Sequence, residues 1–425
     1  MVFSIRLAFF GILTTFVIVM YMIVWTHQGY ELKEERKLVP PGNTINRRDL
    51  SAPVKLVILG YLRGGTTFFS EIFNRNGNAF FWFEPLAVHY LHKYGVHVDP
   101  IHIFNGVRDS PIRMTHEDEN EVMETLDDLL NCRYPTSAVP VDYLSHRFML
   151  TGSRSVWKTG YPRCVKKSMN MTSIRNCYRK LPRCSAPSSN CTSILAALRN
   201  NKGNVSKVES ISRSKWKVQA FRNWYKCMKK VYESQNIKAC LKRTFLVERC
   251  KETGIRVTKL IRLSMETIQR LAENHPDWLF LYYVRDPRGI LKSRESIRIL
   301  SRQNIFEEAK LLCSRMKSDM HIFKEMTKKY PDRFFFLQYE AFAKEPVRKA
   351  KGVYRLLGRT LPDSIVKEIR KMSQTAHNGN NMNTNRKDPF RVANAWQKNM
   401  TIHEAKQIKL YCSDVYEALG YSISI

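Results

Sequence analysis

A chain of 425 residues with 44% apolar composition can bury a sizeable core, so it is neither fibrous nor disordered. Its 70 Lys and Arg stand against 38 Asp and Glu, and the net charge of +32 calls for an acidic partner: nucleic acid, anionic lipid or an acidic polysaccharide.

In chain order, residues 1–6 form a short tail with Arg6 as its cation, and residues 7–25 run for 19 positions without a charge. That is the length of one membrane-crossing helix. It exceeds the roughly 7 to 15 apolar residues of a cleaved signal, and no Ala-x-Ala-like site follows Trp25, so an uncleaved signal anchor is expected. Residues 26–53 are polar, contain Pro40, Pro41 and Gly42, and read as a stem. The folded domain is expected over residues 54–425.

Residues 54–59 are apolar and rich in β-branched side chains, as in a buried strand. Gly60-Tyr61-Leu62-Arg63-Gly64-Gly65-Thr66-Thr67 follows, and Phe69, Ile72 and Phe73 then recur at helical spacing. The loop has the Gly-x-x-x-x-Gly spacing of a phosphate-binding loop, with Thr66 where a nucleotide triphosphatase carries Lys. Its glycines let backbone N–H groups approach an anion, and the following helix adds its unsatisfied amides and positive end. Thr66 and Thr67 add hydroxyls and Arg63 a cation, a set suited to an anion that needs no metal. An ordinary strand-to-helix turn is the bland alternative. Residues 79–83 form the next strand, ending at Glu84-Pro85.

The charge concentrates further on. Residues 151–262 hold 27 Lys and Arg against 4 Asp and Glu, with seven of the ten cysteines. Sequons stand at Asn170, Asn190, Asn204 and Asn399. No Cys-x-x-Cys or His-x-x-x-His pair accompanies the cysteines, which favours disulfides over zinc in a basic insertion at about residues 151–254. Sequons and cysteines beyond the anchor place the bulk of the chain in the secretory lumen, where the partner of a basic patch is a glycan and not nucleic acid.

Residues 255–263 alternate as a strand with polar residues between, and a helix follows over 265–273. Residues 278–284 form a strongly apolar strand ending at Arg285; Asp286 is a natural N-cap and Pro287 a first helical residue. Arg285 would project from the carboxyl end of that strand, where open α/β sheets bind ligands, with Ser293 about two turns into the helix. Residues 333–338 read as a strand and 346–357 as a helix. Thr401 and Glu404 make a capping box for a last helix that closes at Gly420. The alternation predicts an α/β fold: a P-loop-type central parallel sheet flanked by helices, behind an N-terminal transmembrane anchor.

The Arg63-Gly64-Gly65-Thr66-Thr67-Phe68 loop resembles the 5′-phosphosulfate loop of sulfotransferases, and Arg285 with Ser293 resembles their 3′-phosphate pair. Residues 68–85, Lys259-Leu260-Ile261-Arg262-Leu263, Gln338-Tyr339-Glu340 and the tail from Trp396 to Tyr421 are similar to the carbohydrate 6-O-sulfotransferases acting on N-acetylglucosamine, galactose or N-acetylgalactosamine. In that group the loop usually reads Arg-Ser-Gly-Ser-Ser, and the insertion at 151–254 has no close match. The resemblance implies transfer of sulfate from 3′-phosphoadenosine 5′-phosphosulfate (PAPS) to a sugar hydroxyl, a glycan or glycosaminoglycan acceptor, and a single-pass type II Golgi membrane location. It also implies a nucleotide site of Arg63, Gly64, Gly65, Thr66, Thr67, Phe68, Phe69, Arg285 and Ser293.

Sulfuryl transfer builds charge on the bridging oxygen of the leaving phosphate, which assigns Arg63 and the Thr66/Thr67 hydroxyls to catalysis. The acceptor hydroxyl must lose a proton; Glu84 is the candidate base and His89 the reserve. A capping or salt-bridged carboxylate is the alternative for Glu84. Two other classes compete for the whole chain: a lectin-like lumenal glycan-binding protein, which leaves both anion motifs unexplained, and a P-loop sugar kinase, which should carry Lys at Thr66.

Overall fold

The computed structural model describes residues 52–86, 116–133, 160–161, 164, 235–297, 300, 302–375 and 384–422. The anchor, nearly all of the stem, His89, the sequons at Asn170, Asn190 and Asn204, and most of the basic insertion lie outside the described residues. Among the described residues no helix is long and apolar enough to cross a membrane.

Strands β1 (Val54–Leu59), β2 (Ala79–Phe83), β3 (Ile255–Leu260), β4 (Trp278–Val284) and β5 (Phe334–Gln338) form one sheet in the order β2-β3-β1-β4-β5. Every neighbouring pair is parallel. All residues of β3 and β4 are buried, as in a sheet covered on both faces. The expected alternation of β3 therefore does not mark a wet face: its polar members Arg256, Thr258 and Lys259 are buried too. This strand was expected to reach residue 263 but ends at Leu260, because Ser264 turns the chain into a helix by accepting from the Thr267 amide.

The described helices, in chain order, begin with α1 (Thr66–Asn74), α2 (His116–Leu130), α3 (Gln235–Arg243), α4 (Leu246–Glu252) and α5 (Met265–Asn274). They continue with α6 (Pro287–Ser296), α7 (Ile305–Lys329), α8 (Tyr339–Lys344), α9 (Pro346–Leu356) and α10 (Asp363–Ser373). The last are α11 (Pro389–Ala393), α12 (Trp396–Asn399) and α13 (Ile402–Leu419). Local chemistry sets several boundaries. Asp286 caps α6 by accepting from the Arg288 amide with Pro287 in the first turn, and both halves of the Thr401/Glu404 capping box form on α13.

The connection leaving β1 runs to one side of the sheet and that leaving β4 to the other. The crevice between the carboxyl ends of β1 and β4 is thus the switch point at which sheets of this kind bind ligands.

Among the described residues, three disulfides tie the long connections. Cys132–Cys250 joins the end of α2 to α4, Cys164–Cys240 lies inside the loop so closed, and Cys313–Cys412 joins α7 to α13. The first two are nested, so the chain from α2 to α4 is cinched at a neck that reaches back before residue 151 to Cys132. No described cysteine is free.

Candidate functional site

The loop after β1 folds tightly. The Gly64 amide donates to the Tyr61 carbonyl at 2.8 Å and closes a four-residue turn. Its third residue, Arg63, has φ +67°, in the left-handed region that costs a non-glycine residue on the order of 1 kcal/mol or more. Gly65, at φ +81°, is the N-cap of α1, and a Cβ there would lie 2.3 Å from the Tyr339 ring. Only glycine fits. A Cβ on Gly64 would meet the Tyr61 carbonyl at 2.9 Å, so the serine usual at that place in the resembling loops would push this turn open.

The turn's carbonyls are occupied by arginines. Leu62 O accepts from Arg294 Nε and Nη2 at 3.1 Å each, and Arg63 O accepts from Arg285 Nη1 at 3.0 Å. With its carbonyls engaged, the loop presents the start of α1, whose first amides have no acceptor within the helix. Thr66 is buried; Thr67 is half-buried.

Arg63, Ser293 and Arg285 come together. Arg63 Nε donates to Ser293 Oγ at 3.1 Å, bridging 230 residues of sequence. Arg285, at the end of β4, stacks its guanidinium 4.7 Å over the Tyr339 ring, and its buried Nε has no hydrogen-bond partner. Burial, then the charges of Arg285 and Arg386, pull the Arg63 guanidinium down to about 10. Like charges gathered in a low-dielectric crevice repel one another until an anion enters. Arg386 was not foreseen: it stands in an irregular stretch before α11, held by its amide to Met372 O at 2.8 Å, where no periodicity distinguishes it from a surface arginine.

The rings of Phe68 and Phe69 are buried in the apolar core. Phe69 stacks on Tyr283 at 4.9 Å and meets Phe342 edge-on, Phe68 packs on Phe342, and both amides donate to Gly65 O. They fall on the inward face of α1, as their helical spacing demands.

Glu84 follows β2 at φ +46° and forms two ion pairs, with Lys259 Nζ at 2.6 Å and Arg262 Nη1 at 2.9 Å. Burial alone would raise its pKa, but the two cations carry it down to about 2. Lys259 is buried on β3, and burial lowers its own pKa despite Glu84. Its Nζ also donates to Thr67 Oγ1 at 3.2 Å, so one ammonium joins Glu84 to the loop. The sequence marks Lys259 only as a polar interruption of a strand. A small cavity of about 10 Å³ opens beside this pair, lined by Glu84, Leu86, Leu260, Ile261, Arg262 and Leu263.

The donor set fits a ligand with two anionic ends. One end would lie at the start of α1 with Arg63 and Thr67, the other with Arg285, Ser293 and Arg386, and the unpartnered Arg285 Nε is the kind of group such a ligand would satisfy.

The sequence pattern of the Sulfotransferase family matches residues 55–363. The chain is 25% identical to carbohydrate sulfotransferase 3 of Homo sapiens over 46% of this chain and 46% of that protein. It is 22% identical to carbohydrate sulfotransferase 4 of Mus musculus over 40% of this chain and 50% of that protein. Among solved structures it aligns with sulfotransferase STF9 from Mycobacterium avium at 12% identity and a TM-score of 0.32, over 88% of this chain and 78% of that one. The aligned region thus spans about half the length of the curated relatives.

Proposed function

We propose, from the premise that this chain belongs to the sulfotransferase family, that it transfers sulfate from PAPS to a hydroxyl of a glycan. The observation that carries the reading is the meeting of Arg63, Ser293 and Arg285 at the switch point of the sheet. PAPS, when bound, supplies the sulfuryl group and a phosphate leaving group. Arg285, Ser293 and Arg386 would hold the 3′-phosphate, and the Gly65 to Thr67 backbone the 5′ side. Arg63 neutralises charge as it builds on the leaving oxygen, the step at which a fixed cation in a dry site contributes most.

Glu84 would receive the acceptor hydroxyl. Lys259 and Arg262 keep it ionised and weakly basic, so it orients the hydroxyl by accepting its hydrogen bond and takes the proton late, as transfer makes the hydroxyl acidic. The crossover from β2 to β3 leaves the sheet at Glu84, on the edge that carries the loop. Its residues 151–254 hold 24 Lys and Arg against 4 Asp and Glu, which suits an acidic glycan. The 6-O position of N-acetylglucosamine, galactose or N-acetylgalactosamine is the acceptor we favour by family resemblance.

We place the chain in the Golgi membrane, anchored by residues 7–25 with the domain in the lumen. Asn399 is exposed at the end of α12, so its sequon is accessible to a glycan; digestion with N-glycosidase should raise gel mobility. The activity itself is tested by incubating the full chain with radiolabelled PAPS and a panel of sulfated and unsulfated glycans. Label should pass to at least one glycan. A chain stabilised by ATP with magnesium and not by 3′,5′-adenosine bisphosphate (PAP) would instead be a kinase.

A further inference from the structure

Helix α7 reaches beneath the anion loop with two buried carboxylates, Glu308 and Asp319. They lie about three turns apart and so share one face of the helix. Glu308 pairs with Arg294, whose fork grips the Leu62 carbonyl. Asp319 Oδ2 accepts from the Tyr61 hydroxyl at 2.8 Å, and Tyr61 in turn meets the Tyr282 hydroxyl. The other face of the same carboxylate is used as well: Oδ1 accepts from the Met265 amide at 2.8 Å, and Arg315, bonded to Oδ2 at 3.3 Å, also donates to the Leu263 carbonyl.

Tyr61 and Leu62 are the two residues before Arg63, whose left-handed conformation persists only if its surroundings over-determine it. The grip on Leu62 and the anchor on Tyr61 supply that constraint. Leu263 lines the cavity beside Glu84, so one helix face supports both sides of the site. Tyr61, Arg294, Glu308 and Asp319 are each no more than 3% exposed, too deep to meet a ligand. As stabilising elements they are poor choices, since well-packed apolar residues would serve as well without the cost of desolvating charge. Their use is geometric.

We infer, on the basis of the transfer role proposed for Arg63, that Arg294 and Tyr61, seated on Glu308 and Asp319, are positioning residues that fix the strained turn and aim the Arg63 guanidinium. Arg294→Lys keeps the charge but loses the fork on Leu62; Tyr61→Phe keeps the ring but frees Asp319 of one donor. A misplacement of the catalytic group by a fraction of an ångström to about 1 Å costs on the order of 10- to 100-fold in rate.

The experiment measures kcat and KM for PAPS, PAP affinity by calorimetry and the melting temperature, on full-length wild type, Arg294→Lys, Tyr61→Phe, Arg63→Ala and Arg63→Ala/Arg294→Lys. The acceptor is whichever glycan the wild type sulfates best. Both single variants should lose about 10-fold or more in kcat at saturating PAPS while PAP affinity changes little. In the Arg63→Ala background the cost of Arg294→Lys should vanish, because there is no guanidinium left to aim. Additive costs, or kcat that falls only with the folded fraction, would overturn the inference alone. A wild-type chain that neither binds PAP nor transfers sulfate would overturn the proposed function, and the inference with it.

Discussion

Arg63 combines two features, a left-handed backbone and a half-buried guanidinium beside two others. If it stabilises charge that appears only as transfer proceeds, its loss should fall on turnover more than on binding. Arg63→Ala is expected to lower kcat on the order of 100-fold or more at saturating PAPS, with a smaller loss of PAP affinity. Arg63→Lys should recover part of the rate, since it restores charge without the planar fork. Near-normal turnover with weakened binding would make Arg63 a ground-state anchor. Glu84 carries a prediction of a different kind. Its pKa is lowered from 4.5 to about 2 in the folded chain, so the unfolded chain binds its proton more tightly. The stability this contributes is therefore complete above about pH 5 and lost as pH falls towards 2. In Glu84→Gln the melting temperature should fall less steeply over that window than in wild type; parallel acid profiles would remove the ion pairs from the account.

Elements were legible where their signal is local. The strand, glycine loop and helix of residues 54–74, the Asp286-Pro287 start of α6 and the Thr401/Glu404 box of α13 each announce themselves within a few residues, and the structure has them in place. Arg63, Ser293 and Arg285 could be expected together because two local motifs each pointed to the carboxyl end of a strand. The 25-residue helix α7, with its carboxylates beneath the loop, was not read from its pattern, nor was the strand order, which depends on pairings between distant segments. Lys259 was missed for the same reason: its partner Glu84 is 175 residues away, and a lysine in a strand reads as solvent-facing until both faces are known to be covered. The nested disulfides are a further element-scale device. The Cys132–Cys250 bridge closes 118 residues, and in the chain-entropy view such a loop closure is worth about 4 to 5 kcal/mol. Replacing both cysteines by alanine should lower the melting temperature by several degrees, measured by calorimetry, and leave PAP affinity nearly unchanged, since the neck packs at the amino end of β3, where Arg256 holds the Cys250 and Leu130 carbonyls, and the nucleotide site lies at the carboxyl ends of β1 and β4. Loss of PAP binding in a variant that still melts cooperatively would tie the neck to the nucleotide site.

On the scale of the whole molecule, charge and topology point the same way. The sheet's switch point gathers Arg63, Arg285 and Arg386 around one crevice, and the connection that leaves β2 beside Glu84 contains the strongly basic residues 151–254. A site of this kind should distinguish a nucleotide with two phosphate positions from one with a single position, because Arg285 and Ser293 come from β4 and α6 and add cationic and hydroxyl donors to those of the loop that would hold the 5′ side. The direct measurement is calorimetric titration of one folded preparation with PAP and with adenosine 5′-phosphate, which lacks the 3′-phosphate. Charge-assisted contacts to that group should make PAP the tighter ligand by about tenfold or more, and Arg285→Ala or Ser293→Ala should narrow the gap. Equal affinity for the two nucleotides in the wild-type chain, or no binding of PAP at all, would contradict the account.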